Sequence, residues 1–182
     1  MPRAQNFAQR SAGNHAIDLT MLSSKRFEVS IEGTHGVVVP DKEAQPFLDA
    51  GHSRVAIRAY FEGNEISFHG KLHSYQGRFL ISFGKRYQKE LGVDRSDYFE
   101  LQLFENTTKY GVEMPEEFQA VLDSDPEAYE GFERLTDGRK RSLIYYIARF
   151  KNSQTRIDKA LIISENIKMG ITDQRELIKD RR

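Results

Sequence analysis

The feature that most constrains the fold of this chain is a change in its hydrophobic period near Asn106. In residues 25–105 apolar side chains alternate with polar ones over short runs, as at Phe27, Val29 and Ile31, and a period of two is typical of half-buried strands. After Asn106 apolar residues recur every three or four positions, which is typical of amphipathic helices. The sequence therefore predicts a mainly β unit followed by a C-terminal helical unit.

The β unit has about six short predicted strands, which are separated by turns that contain glycine. Many closely spaced strands are typical of a small barrel, because closure of the sheet removes its exposed edges. The clearest hairpin runs from Val55 to Leu72, and Gly63–Asn64 is its expected two-residue turn. The buried pairs that this turn would create are Phe61 with Ile66, Ala59 with Phe68, and Val55 with Leu72.

The helical unit carries four amphipathic segments, and three of them have start signals at Pro115, Asp125–Pro126 and Ser153. The start and the end of the chain lack a hydrophobic period. The expected organisation is a flexible leader at 1–24, a β-barrel domain at 25–105, a helical domain at 106–170 and a frayed tail at 171–182.

Cysteine is absent from the chain, which excludes disulfides and thiolate metal sites and is usual in a reducing compartment. There is no window of about 18 apolar residues that could span a bilayer. The first 20 residues also lack the apolar run of a secretory signal. We therefore expect a cytoplasmic protein without a membrane span.

The formal net charge is zero, but the charges are distributed unevenly along the helical unit. Residues 106–135 carry 2 basic and 8 acidic side chains, whereas residues 136–182 carry 12 and 6. An acidic helix pair packed beside basic helices would explain this pattern within one molecule. A basic surface that meets an anionic partner is the alternative.

The helical unit resembles a known family in the run MPEEFQAVLDSDPEAYEGFERLTDGRKRSLIYYIARFKNSQTRIDKAL. The residues that carry the resemblance are Pro115, Phe132, Leu135–Thr136, Arg139–Arg141, Ile147–Ala148, Thr155–Arg156 and Lys159–Ala160. They are similar to the helical domain of the YdeI-like, OmpD-associated proteins, also called the bacteriocin-protection family. The preceding β unit is similar to the double-split β-barrel domain of unknown function, which often precedes that helical domain.

Six basic residues of the helical unit form the contact surface that the resemblance and the charge pattern both favour. These residues are Arg139, Lys140, Arg141, Arg149, Arg156 and Lys159. The alternative is that Arg139–Arg141 only neutralise the acidic helices at residues 116–133. The sequence leaves both interpretations open.

The predicted hairpin also places a second basic group on its outer face. Its members are Arg54, Arg58, His69, Lys71 and His73, and the expected register makes them a cationic ribbon without acids. Such a ribbon could hold phosphates or a small anion. An ordinary solvated sheet face, or one covered by the helical unit, is the alternative.

The sequence contains none of the catalytic, phosphate-binding or metal-binding motifs that we considered. There is no Gly-x-Ser-x-Gly elbow, no complete phosphate-binding loop and no helical histidine pair that could hold a metal. We expect no cofactor and no metal. The sequence favours a non-catalytic binding or regulatory module. The resemblance to the bacteriocin-protection family implies a role in stress or bacteriocin resistance. Nucleic-acid or anion binding and an unrecognised enzyme are the alternatives. A protein or a polyanion would be the partner, and the oligomeric state stays open.

Overall fold

The computed structural model describes residues 21–182, which form two units with separate hydrophobic cores. The β unit contains β1 (Phe27–Ser30), β2 (Gly36–Val39), α1 (Asp41–Asp49), β3 (Arg54–Phe61), β4 (Asn64–Lys71), β5 (His73–Tyr75), β6 (Arg78–Ser82), α2 (Lys85–Leu91) and β7 (Tyr98–Glu105). The helical unit contains α3 (Glu116–Ser124), α4 (Pro126–Glu133), α5 (Asp137–Ala148), α6 (Ser153–Lys168) and α7 (Gln174–Leu177).

Two antiparallel sheets build the β unit. One has the strand order β1-β7-β3-β4 and the other has the order β2-β6-β5. Their apolar faces share one core, in which Val55, Ile81 and Leu101 are at most 1% exposed. Alternation of apolar and polar residues therefore placed the core side chains as predicted. The expected closed barrel is wrong, however, since the two sheets are not joined into a barrel within residues 21–182. The fold is mixed α/β.

The register of the central hairpin differs from the prediction by two residues. The turn is Glu62–Gly63, with φ angles of 46° and 83°, and Asn64 is the first residue of β4. Asn64 instead donates a hydrogen bond from Nδ2 to the carbonyl of Leu91 at 3.3 Å. The observed pairs include Ala59 with Ile66, Ile57 with Phe68 and Arg54 with Lys71. Because the shift is an even number, the side chains of β3 and β4 keep their predicted faces.

The helices of the second unit pack around a core of their own, as their apolar stripes predict. Phe118 and Phe132 are fully buried and meet edge to face, with ring centroids 5.3 Å apart. Asp125, Thr136 and Asn152 cap α4, α5 and α6 by accepting hydrogen bonds from backbone amides. The cap of α6 is thus Asn152, one residue before the expected position.

The end of the chain is folded rather than frayed. Helix α7 lies within residues 171–182, and its Leu177 is fully buried in the helical core. The buried side-chain amide of Asn166 donates to the carbonyls of Glu176, Leu177 and Lys179. In the sequence, Leu177 and Ile178 alone were too few apolar residues to predict an amphipathic helix. In the structure, the buried Asn166 side-chain amide holds the backbone around them.

The expected leader at 1–24 lies mostly outside the described residues. Its last residues belong to the β unit, because the Ser24 amide donates to the Leu103 carbonyl at 2.9 Å and Ser23 bridges to Phe104. The leader prediction is therefore wrong for residues 22–24. None of the helices within residues 21–182 is both long and apolar enough to cross a membrane.

Candidate functional site

The predicted cationic ribbon is interrupted at one end of the hairpin. Arg58 lies 3.8 Å from the Glu65 carboxylate, and its guanidinium lies over the Phe104 ring at 5.0 Å. His73 belongs to β5, in the other sheet. The expectation of a continuous acid-free ribbon is therefore wrong, because the true register brings Glu65 beside Arg58 and the chain changes sheet after Lys71.

His69 lies on the outer face of β4 but is partly covered by the helical unit. The Tyr145 hydroxyl of α5 donates to the His69 carbonyl at 3.5 Å. Burial lowers the pKa of His69, the nearby Arg54 lowers it further, and Glu113 acts in the opposite direction. His69 is therefore neutral near pH 7, and it adds no charge to this face.

Arg54, at the start of β3, joins the two units. Its Nε donates to the carbonyl of Gly111 at 3.1 Å, and its Nη2 donates to the Tyr145 hydroxyl at 3.1 Å. Both acceptors are neutral, so the positive charge of Arg54 is oriented by these hydrogen bonds without being neutralised.

Gly111 lets two arginines approach each other. It has a φ of 79°, which favours glycine, and a Cβ placed there would lie 3.0 Å from Arg54 Cδ and 3.8 Å from Arg141 Cδ. Lys71 is the direct cross-strand partner of Arg54 on the same outer face. We call Arg54 and Arg141, which meet at Gly111, together with Lys71, the cross-strand partner of Arg54, the basic junction.

The basic junction has no carboxylate within 4.0 Å of its three cationic groups, as far as the described part of the chain shows. A cavity of about 210 Å³ adjoins it and is lined by Lys109, Tyr110, Gly111, Asp137, Lys140 and Arg141. Arg54 of the hairpin and Arg141 of the basic segment, which the sequence assigned to two separate surfaces, thus meet at one glycine.

The other predicted contact residues have more varied surroundings. Lys140 is 11% exposed and lies 3.3 Å from Glu133, and Arg156 lies 3.4 Å from Glu117. Arg149 lies over the ring of Tyr146 at 4.3 Å. Arg139 is exposed and Lys159 is partly buried. The structure thus brings Lys140 and Arg156 to acids of the preceding helices, whereas Arg139 and Arg141 form no ion pair within residues 21–182.

Glu133 is the centre of a polar cluster that the sequence did not indicate. Its carboxylate accepts hydrogen bonds from Lys109 Nζ at 2.8 Å, from the Tyr110 hydroxyl at 2.5 Å and from Lys140 Nζ at 3.3 Å. Lys109 also donates to the Tyr129 hydroxyl at 2.8 Å. We call Lys109, Tyr110, Tyr129, Glu133 and Lys140 the Glu133 cluster.

The Glu133 cluster has strongly shifted protonation equilibria. Burial raises the pKa of Glu133, but the three hydrogen bonds outweigh burial and lower this pKa to about 2. Burial and the hydrogen bond to Glu133 raise the pKa of Tyr110 to about 12. Carboxylate and phenol are therefore held in fixed protonation states near pH 7.

Metal ligands do not cluster anywhere in residues 21–182, where no group of three or more His, Asp or Glu side chains could hold an ion.

Comparison with known proteins gives one family and one distant structural likeness. The family model described as "Bacteriocin-protection, YdeI or OmpD-Associated" matches residues 111–170. No curated protein sequence matches the chain. A solution structure of PHS018 from Pyrococcus horikoshii is similar at 16% identity and a TM-score of 0.33, over 43% of this chain and 86% of that one. Residues 111–170, from Gly111 of the basic junction to just past the end of α6, therefore match the model of the bacteriocin-protection, YdeI or OmpD-associated family, to which the sequence resemblance pointed.

Proposed function

We propose that this protein is a non-catalytic binding module that contacts an acidic partner through the basic junction and the exposed arginines beside it. The observation that carries the proposal is that Arg54 and Arg141 meet at Gly111 and that Lys71 is the cross-strand partner of Arg54, with no carboxylate of the described residues within 4.0 Å of the three. Uncompensated charges of one sign attract a partner of the opposite sign and speed its association.

The location of the basic junction also supports a binding role. One of its cations belongs to α5 and the other two to the hairpin of β3 and β4. A partner bound there would contact both units, with Arg139 of the same helix as an additional exposed cation. The β unit would serve as a scaffold, and its two sheets around one core fit an opened arrangement of double-split type.

The family description gives the biological setting of the proposal. We infer a role in protection against bacteriocins or in a related stress response, with the bound partner as the effector. A cytoplasmic location fits a chain without cysteine.

The test measures binding of a fluorescently labelled decaglutamate peptide to the full chain by anisotropy, with a decalysine peptide as the control for charge sign. We expect decaglutamate alone to bind, with an affinity that falls as salt rises from about 50 to 200 mM. Charge reversal by Arg54→Glu with Arg141→Glu should abolish this binding. Equal binding of decaglutamate to the wild-type protein and the reversed variant would contradict the proposal.

A further inference from the structure

The basic junction has an internal conflict of charge. Arg54 and Lys71 are direct partners across β3 and β4, and like charges at directly opposed positions destabilise a sheet pair. Arg141 brings a third positive group to the same place, because its stem and that of Arg54 both reach Gly111. No carboxylate of the described residues lies within 4.0 Å of the three, although Asp137 lines the adjoining cavity beside Arg141, so the junction keeps capacity for an external anion.

The hydrogen bonds of Arg54 leave one edge of its guanidinium available. Nε and Nη2 are used by the Gly111 carbonyl and the Tyr145 hydroxyl, which fixes the plane of the group. No hydrogen bond of Nη1, of Lys71 Nζ or of the Arg141 guanidinium is formed within residues 21–182. A fixed guanidinium loses less conformational freedom when it binds a ligand, so Arg54 is the preorganised part of this site.

The number of charges indicates the class of ligand. Three neighbouring cationic residues match a dianion better than a monoanion, and guanidinium groups donate paired hydrogen bonds to tetrahedral oxyanions. Phosphate monoesters carry a charge of about −1.5 to −2 near pH 7, whereas the phosphates of a nucleic-acid backbone carry one charge each.

From these observations we infer that the basic junction is a binding site for a phosphate monoester, held by Arg54, Lys71 and Arg141. The inference rests on the proposed binding role, because it names the ligand chemistry of the same junction. The adjoining cavity of about 210 Å³ leaves room for the group that carries the phosphate, and Tyr110, Asp137 and Lys140 line it.

The direct test is calorimetric titration of the full chain with phosphoserine, inorganic phosphate, serine and a short single-stranded oligonucleotide at constant ionic strength. We expect phosphoserine and phosphate to bind and serine to show no heat of binding. The oligonucleotide should bind at least about tenfold more weakly than phosphoserine, since its diesters are monoanions. Tighter binding of the oligonucleotide would overturn the assignment to a monoester.

Two variants and a control locate the site. Arg54→Gln with Arg141→Gln should reduce phosphoserine affinity by at least about tenfold, because charge-assisted hydrogen bonds are lost. Lys71→Gln changes an exposed side chain without a hydrogen bond to any described residue, so it should keep the fold and still reduce affinity severalfold. The control, Arg95→Gln with Lys151→Gln, removes one exposed cation from each unit and should bind like the wild type. An equal loss in the control and the double variant would overturn the site.

The outcomes also separate this inference from the proposed function. If decaglutamate binds and phosphoserine does not, the phosphate site is wrong and the acidic-partner proposal stands. If phosphoserine binds at the junction and decaglutamate does not, the site is correct and the proposal of a carboxylate-rich partner is wrong.

Discussion

Among the described residues, most ion pairs of the β unit lie at the surface, whereas several of those in the helical unit are partly buried between helices. In the β unit, the paired side chains of Arg58 and Glu65 are 52% and 48% exposed. In the helical unit, Lys140 is 11% exposed in its pair with Glu133, and Glu117 is 16% exposed in its pair with Arg156. Surface pairs contribute little to stability, and partly buried pairs cost much more when one partner is lost. The comparison teaches that the two units depend on different interactions, although both have an apolar core.

The largest expected effect tests whether the two cores are independent. Phe132→Ala should lower the free energy of unfolding of the helical unit by about 3–5 kcal/mol, because Phe132 is fully buried and packs against Phe118 and Tyr110. Hydrogen exchange read by mass spectrometry should show lost protection in α3–α6 and unchanged protection in the β strands.

The matched variant for this comparison is Phe83→Ala, which removes a fully buried ring from the core of the β unit. Its loss of protection should be confined to the β strands. Loss of protection throughout residues 21–182 in either variant would show that the two cores unfold as one cooperative unit.

The next effect concerns the close approach of α4 and α6. A Cβ on Gly131 would lie 2.2 Å from Ile167 Cγ2, so Gly131→Ala should destabilise the helical unit by about 1–3 kcal/mol in thermal denaturation. Adding Ile167→Leu removes that methyl and should restore most of the loss. Gly138→Ala is the control, because a Cβ there meets no atom within 4 Å, and it should stabilise α5 by up to about 1 kcal/mol. A neutral Gly131→Ala would contradict the close packing.

A smaller effect comes from the pH dependence of the Glu133 cluster. The pKa of this carboxyl is lowered from 4.5 to about 2 in the folded protein, so its stabilising contribution is complete above pH 4.5 and is lost as pH falls towards 2. Because the side chain is 30% exposed, we expect a loss of about 1 kcal/mol after solvent screening. Urea titrations of the wild type and Glu133→Gln at several pH values measure this loss in the free energy of unfolding. If that free energy changed with pH equally in both proteins, the stabilising contribution of the ionised Glu133 would be disproved.

The smallest effect is expected for a surface pair of the β unit. A double-mutant cycle with Arg58→Ala and Glu65→Ala should give a coupling energy of about 0.5 kcal/mol or less in thermal denaturation, because both side chains are half exposed. A coupling above about 1 kcal/mol would remove the contrast between the two units.

The sequence predicted the strand faces and the helical core because both follow from local periodicity. The apolar faces of α3 to α6 were predicted in the same way. The hairpin register was not, since Glu62 adopts a positive φ that a bulky side chain rarely takes, while Asn64 is used for a contact with α2. Turn preferences depend only on neighbouring residues, so they could not predict the contact between Asn64 and Leu91.

The basic junction was only half predictable. Arg54, Lys71 and Arg141 were all identified as candidate contacts, but on two unrelated surfaces. Their meeting depends on the hydrogen bond between Arg54 and Gly111, which are 57 positions apart in the chain. The Glu133 cluster was missed for the same reason, because Lys109 comes from the linker between the units and Glu133 from α4.

The hydrogen bonds that the Asn166 side-chain amide donates to α7 and the residues after it determine where the helical unit can be truncated. The family match ends at residue 170, but the carbonyls that Asn166 holds belong to residues 176–179. A fragment that stops at the family boundary would leave a buried amide without its acceptors and open the pocket filled by Leu177. The family match and the folded helical unit therefore end at different residues. Helix α7 lies beyond the family match and completes the core of the helical unit.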